Sequence, residues 1–222
     1  MINIAIDGPS GSGKSTVAKI ISKKLDILYL DTGAMYRACG LKAKSLGIDC
    51  NDEMGVATFI NDIDLQVKHL EGVQHVFLDG IDVSKEIRKN EVSMLASAIS
   101  AHPVVRNKMV QMQREVASEQ PCVLDGRDIC MYVLPNAKYK FYITATAEVR
   151  AQRRYKELIE RGQTVDFQTI LDEINLRDKN DSSRATAPLE KAPDAELIDT
   201  SLMTANEVAD LVIQKVLNGE NK

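Results

Sequence analysis

The densest chemistry in the chain lies in Gly8-Pro9-Ser10-Gly11-Ser12-Gly13-Lys14-Ser15-Thr16. A glycine, four residues and then Gly-Lys-Ser is the spacing of a loop that cradles phosphates. Glycines put no side chain between backbone and ligand, so successive N–H groups can turn inward on phosphate oxygens. A helix starting near Lys14 adds the positive end of its dipole. Lys14 is placed to reach the outer phosphates, and the Ser15 hydroxyl to ligate Mg²⁺. Ile2, Ile4 and Ile6 form an apolar run before the loop, and Val17, Ile20, Ile21 and Leu25 recur at helical spacing after it. Strand before and helix after are the setting the motif requires, so residues 8–16 are expected to bind a nucleoside triphosphate.

Further candidate anion ligands are spread along the chain. Arg37 lies one helical turn past Gly33, Arg106 opens a helix, Arg127 follows a buried strand, and Arg177, Asp181 and Arg184 stand at steps of four and three. That last spacing puts the three on one helical face, where an ion-pair ladder is the plain alternative; for Arg37 it is a surface helix charge. Asp125 ends the strand Cys122-Val123-Leu124 and stands where a carboxylate holds Mg²⁺ or its water. Two phosphorylated substrates meeting head-on carry about five or more negative charges, which arginines neutralise best. A hydroxyl acceptor usually needs a general base. A nucleoside monophosphate is already a dianion near neutral pH and needs alignment and charge neutralisation. No catalytic histidine or activated nucleophile stands out, which fits the second case. A switch GTPase would carry Asn-Lys-x-Asp, but Asn107-Lys108 runs into Met109-Val110.

The elements that must position these residues follow from pattern. Residues 27–30 read as a second buried strand, and Thr32 as the cap of a helix running to about 46, closed by Gly47. A short helix is expected over 52–63. The period then changes to two: Leu65, Val67 and His69 alternate, Glu71-Gly72 turns the chain, Val73, His75 and Phe77 alternate, and Asp79-Gly80 turns it again. This antiparallel meander places His69 and His75 to face each other across the first turn, as a solvated pair. Helices over 90–101 and 104–117, strands over 121–125, 139–143 and 195–198, and helices after Thr146, near Phe167 and over 205–217 complete an α/β architecture: a five-stranded parallel sheet wrapped by helices.

At 222 residues, 44% apolar and 27% charged, the chain suits one α/β domain with small insertions. A net charge of −4 argues against a nucleic-acid footprint. No stretch approaches the roughly 18 apolar residues of a membrane span, and the start shows no signal-peptide pattern. Cys39, Cys50, Cys122 and Cys130 lack disulfide or metal-like spacing and read as reduced core thiols of a cytoplasmic protein.

Five stretches together resemble the bacterial cytidylate kinases, a family of nucleoside monophosphate kinases. They are residues 7–15, Asp31-Thr32-Gly33-Ala34-Met35-Tyr36-Arg37, Asp82-Val83-Ser84-Lys85-Glu86-Ile87-Arg88, Asp125-Gly126-Arg127-Asp128, and Arg177-Asp178 with Asp181, Arg184 and Ala187-Pro188-Leu189. The resemblance implies a P-loop kinase fold and transfer of the ATP γ-phosphoryl group to CMP or dCMP with Mg²⁺, in pyrimidine metabolism. It implies one kinase domain with its core at 1–62, 85–149 and 166–222, a monophosphate-binding β insertion at about 63–84 and a short helical lid at about 150–165. Arg153 and Arg154 of that lid would meet ATP. Ser97, Arg106 and Asp128 would read cytosine, Arg37, Arg127 and Arg184 would hold the acceptor phosphate, and Thr32, Tyr36, Arg177 and Asp181 would surround the rest of the monophosphate. Lys14, Arg37, Arg127, Arg153 and Arg184 carry the expected catalytic charge. A monomer acting on small molecules is expected. Thr32 replaces the commoner serine and keeps its hydroxyl; Asn180 and Ser182 stand where some relatives have arginines, leaving that segment less basic.

Overall fold

The apolar run at the start becomes the middle strand of a five-stranded sheet. The computed structural model describes residues 2–219, with Asn90 described by its backbone alone. In chain order the elements are β1 (Asn3–Asp7), α1 (Lys14–Leu25), β2 (Leu28–Asp31), α2 (Thr32–Ser45), α3 (Glu53–Ile60), β3 (Leu65–Leu70), β4 (Val73–Leu78), β5 (Ile81–Asp82), α4 (Asn90–Ile99), α5 (Pro103–Glu119), β6 (Cys122–Gly126), β7 (Tyr139–Thr144), α6 (Ala147–Glu160), α7 (Phe167–Ser182), β8 (Glu196–Asp199) and α8 (Ala205–Asn218). The large sheet has the order β2-β6-β1-β7-β8, and β1 pairs in parallel with both β6 and β7, as β7 does with β8. This is the expected parallel α/β architecture.

The contacts divide the chain into two compact units, one from the residues up to Tyr29 with those from Gln120 on, the other Leu30–Glu119. In the first, Ile4, Ile6, Phe141 and Ile143 of the sheet bury against Val17 and Ile21 of α1 and Val208 and Val212 of α8. Each such side chain is worth about 1.5–3 kcal/mol when fully buried, so the sheet is a rigid base for what lies at its ends. Register brings Asp7 level with Gly126 and Tyr142. The phosphate loop after β1 and the segment after β6 therefore leave the sheet at one level, beyond the carboxyl ends of the strands, where such sheets bind ligands.

In the second unit, α2 packs on α4 and α5 packs on α2 and α3. Gly40 permits the closest approach, since a Cβ there would lie 2.8 Å from Leu95 Cβ. β3, β4 and β5 form the antiparallel meander, with two-residue turns at Glu71-Gly72 and Asp79-Gly80 whose positive φ values match the twist of a hairpin.

Four local expectations are corrected. Asp31, not Thr32, caps α2: its carboxylate accepts the Ala34 N–H at 2.9 Å, and Thr32 is the first helical residue. The helix expected over 52–63 is shorter, with Asp52 as its cap. His69 and His75 do not face each other, because the register sets His75 against Lys68 and His69 against Gln74; His75 instead bonds Asp82 at 2.7 Å. Arg184 lies past the end of α7, so its place beside Asp181 comes from the turn after the helix. A π-type helical turn over Ile129–Val133 had no sequence signal.

Candidate active site

In the first unit the phosphate loop is tied down from behind. Gly8 has φ 151°, and a Cβ there would sit 2.0 Å from the Ile143 carbonyl oxygen, so only glycine lets the loop leave β1 this close to β7. Lys14 Nζ, 94% buried with its residue, donates to the Pro9 carbonyl at 3.0 Å. Ser15 Oγ donates to Asp125 Oδ2 at 2.7 Å, and Tyr29 OH donates to Asp125 Oδ1 at 2.8 Å. The loop serine and the acid at the end of β6 are thus bonded to each other across 110 residues of sequence. Ser12 Oγ is buried without a hydrogen-bond partner, while Thr16 is exposed.

Arg127 and Asp128 follow β6 directly. Arg127 Nε donates to Asp181 Oδ2 at 2.8 Å, and Arg184 pairs with the other oxygen of the same carboxylate. Asp181 is only 1% exposed. Burial opposes its charge, but Arg127, Arg184 and Arg177 outweigh that and hold its pKa below the ordinary carboxylate value. For Arg127 too, burial opposes the charge, and Asp181, Asp125 and Asp7 outweigh it to raise its pKa. Lys14 goes the other way: burial first, then the positive charge of Arg127, lower its pKa from 10.5 to about 7. Lys14, Arg127, Arg177 and Asp181 therefore share one electrostatic environment with the buried carboxylate of Asp125.

Asp128 is buried, and its carbonyl accepts the Tyr132 and Val133 N–H groups. Asp7 holds the same segment from the sheet side, its two carboxylate oxygens accepting the Ile129 and Cys130 N–H groups at 2.8 Å each. Burial, despite those bonds, raises the Asp7 pKa to about 6. On α6, Arg153 donates to the Ser12 carbonyl at 3.3 Å and the Thr200 carbonyl at 2.7 Å, and Arg154 pairs with Glu157 at 2.8 Å. Tyr29 and Arg150 carry no sequence signal for these bonds, whereas Asp7 stands at the end of β1 within the phosphate-loop motif.

In the second unit, Arg37 Nη2 pairs with Asp31 Oδ2 at 3.0 Å, so one carboxylate both caps α2 and aims the arginine. Arg106 is buried on α5, donates to the Ser100 carbonyl at 3.1 Å and lies over the Tyr36 ring at 5.6 Å. Ser97 is half-buried on α4, and its carbonyl accepts the Ser100 hydroxyl at 3.0 Å. Thr32 is buried in the first turn of α2. The structure thus groups Thr32, Tyr36, Arg37, Ser97 and Arg106 on one unit, and Lys14, Arg127, Asp128, Arg177, Asp181 and Arg184 on the other. All four cysteines are free and buried. Among the described residues no cluster of three His, Cys, Asp or Glu could hold a metal, and no helix is long and apolar enough to cross a membrane.

The cytidylate kinase family model matches residues 4–218. A cytidylate kinase of Caldicellulosiruptor bescii is 47% identical over 222 residues, covering 99% of this chain and 98% of its own. One from Bacillus subtilis is 43% identical, covering 97% and 96%. A solved structure of an uncharacterized protein from Eubacterium ventriosum superposes with a TM-score of 0.52 at 16% identity, covering 97% and 98%, a likeness of fold. With a family model spanning residues 4–218 and relatives above 40% identity over nearly the full length of both chains, the chain belongs to the cytidylate kinase family.

Proposed function

We infer that this chain is a cytidylate kinase: it transfers the γ-phosphoryl group of ATP to CMP or dCMP, giving CDP or dCDP and ADP. The observation that carries the reading, beyond family membership, is the cluster of Lys14, Arg127, Arg177 and Arg184 about the buried carboxylates of Asp181 and Asp125. Arginine and lysine side chains gathered in this way are the partners that phosphate groups take.

The phosphate loop would bind the ATP phosphates through its inward N–H groups, with the orphaned Ser12 hydroxyl as a further donor. Lys14 would exchange the Pro9 carbonyl for a phosphate oxygen and take up full charge there. Arg153 and Arg154 would serve the donor side. Arg37, Arg127 and Arg184 would hold the acceptor phosphate, Arg127 and Arg184 being pre-aimed by Asp181 and Arg37 by Asp31. Arg106, fixed by Ser100 and stacked on Tyr36, suits the cytosine carbonyl; Asp128 suits the amino group, and Ser97 joins them. Thr32, Arg177 and Asp181 would surround the sugar. The acceptor oxygen is already anionic, so no general base and no covalent intermediate are required.

The Ser15 hydroxyl and the Asp125 carboxylate are hard oxygen donors 2.7 Å apart, a donor set that fits Mg²⁺ with its waters. Held by Ser15 and Asp125, Mg²⁺ would supply positive charge to neutralise the ATP phosphates. We place the enzyme in the cytoplasm as a monomer, with 63–84 as the monophosphate-binding insertion and 150–165 as the lid of a single kinase domain.

The test is ADP release with ATP·Mg²⁺ against CMP, dCMP, UMP, AMP, GMP and dTMP. Strong turnover with CMP and dCMP and little with UMP is expected. Equal turnover with UMP or dTMP would remove the cytosine roles of Arg106 and Asp128, and no acceptor-dependent turnover would remove the kinase reading.

A further inference from the structure

Arg150 opens the span expected as a lid, yet its side chain makes four hydrogen bonds within the first unit. It is 5% exposed. Its Nε donates to the Ala145 carbonyl at 2.9 Å, its Nη1 to the Ser10 carbonyl at 3.1 Å and to Asp178 Oδ1 at 3.0 Å, and its Nη2 to Asp178 Oδ2 at 2.6 Å. One guanidinium thereby joins the β7–α6 junction, the phosphate loop and α7. The loop also lies close over its stem, since a Cβ on Gly11 would sit 3.1 Å from Arg150 Cβ.

The geometry bears on phosphate binding through the peptide units themselves. A loop whose N–H groups converge inward must turn its carbonyls outward, and each outward carbonyl needs a donor. Arg150 serves Ser10 and Arg153 serves Ser12, at 3.1 and 3.3 Å. The two arginines are three apart on α6, hence on one face, and they meet carbonyls two apart on the loop. The Ser10 carbonyl belongs to the same peptide unit as the Gly11 N–H, and the Ser12 carbonyl to that of the Gly13 N–H. A cation donating to the oxygen polarises the unit and strengthens its N–H as a donor. Asp178 keeps Arg150 in place with a two-point pairing that a lysine cannot reproduce.

We propose that Arg150, held by Asp178, is a positioning pair for the phosphate loop: it touches no substrate but sets ATP affinity by fixing and polarising the Ser10–Gly11 peptide. The proposal rests on the reading that the loop takes ATP phosphates. It assigns a role to Asp178, which the motif contains but phosphoryl transfer itself does not use.

The test measures dissociation constants for a non-hydrolysable ATP analogue with Mg²⁺ in the absence of CMP, and for CMP in the absence of nucleotide triphosphate. Both are measured on the full chain and on Arg150→Ala, Arg150→Lys and Asp178→Asn, with KM and kcat for each substrate and melting temperatures alongside. Losing a charge-assisted bond should weaken ATP binding about tenfold or more in Arg150→Ala, with smaller losses in Arg150→Lys and Asp178→Asn. CMP affinity should stay within about twofold, as its ligands are other residues. Should Arg150→Ala fail to fold, the two milder variants at wild-type melting temperature carry the same comparison. Parallel losses of ATP and CMP affinity that track the melting temperature would overturn the proposal, as would unchanged ATP affinity. A wild-type chain that binds no ATP analogue would overturn it together with the function it rests on, whereas wild-type binding with unmoved variants would overturn it alone.

Discussion

Lys14 enters the folded protein with its charge opposed by burial and by Arg127, its pKa drawn down to about 7 from 10.5. An unfolded chain keeps that lysine protonated between those values while the folded chain does not. Lys14 thus opposes folding fully below about pH 7, and this opposition fades as pH rises towards 10.5. A triphosphate at the loop would bring further negative charge beside Lys14, so ATP binding at pH 8 should take up close to one proton per site and at pH 6 almost none. Calorimetry in buffers of different ionisation enthalpy reads this directly. The uptake should vanish in Lys14→Ala, whose turnover should fall by orders of magnitude while CMP still binds; loss of CMP binding too would contradict the assignment of Lys14 to the donor. Asp128→Asn turns an acceptor partly into a donor, and leaving a buried amine unpaired costs about 1–3 kcal/mol. Discrimination between CMP and UMP should therefore fall about tenfold or more while KM for ATP holds; equal losses toward CMP and UMP would contradict the role.

At the scale of elements, helix ends and helix contacts can be tested apart from chemistry. Thr204 and Glu207 form a reciprocal capping box at the start of α8, a helix whose Val208 and Val212 seal the sheet. Thr204→Ala should cost about 1 kcal/mol, lowering the melting temperature by about 2–4 °C in a chain of this length, with kcat unchanged. Gly40→Ala on α2 sets two effects against each other. A helical alanine gains up to about 1 kcal/mol over glycine, but the new Cβ would meet Leu95 Cβ at 2.8 Å and Leu95 and Ala96 backbone at 3.1 and 3.2 Å. Backbone cannot rotate away, and overpacking costs about 1–3 kcal/mol. The substitution should lower the melting temperature rather than raise it, and a rise would show that α4 yields freely.

For the whole molecule, mass action supplies a test that needs no turnover. A ligand at a hundred times its dissociation constant stabilises the state it binds by about 2.7 kcal/mol. ATP·Mg²⁺ and CMP should each raise the melting temperature alone. Removing Mg²⁺ with a chelator should abolish turnover and weaken the ATP effect while leaving that of CMP, if Ser15 and Asp125, bonded to each other at the phosphate loop, serve the donor as proposed. If the chelator weakened both effects equally, the metal would belong to a shared site or to the fold.

The sequence by itself determined the phosphate loop and the succession of elements. These are local properties: consecutive backbone N–H groups form the loop, and periods of two and 3.6 residues mark strands and helices. It also showed Asp125 as a strand-end acid. What only the tertiary structure decided is who holds whom. Asp7 reaches Ile129 and Cys130 across 122 and 123 residues, Arg150 reaches Ser10 across 140, and Tyr29 reaches Asp125 across 96. Those partners follow from the sheet order β6-β1-β7 and from α6 lying against the loop. Closer in sequence, the cap of α2 passed from Thr32 to Asp31 and the histidines missed each other by one register step. Hydrogen-bond partners are set to a fraction of an ångström by packing, whereas sequence spacing constrains a side chain only to a face.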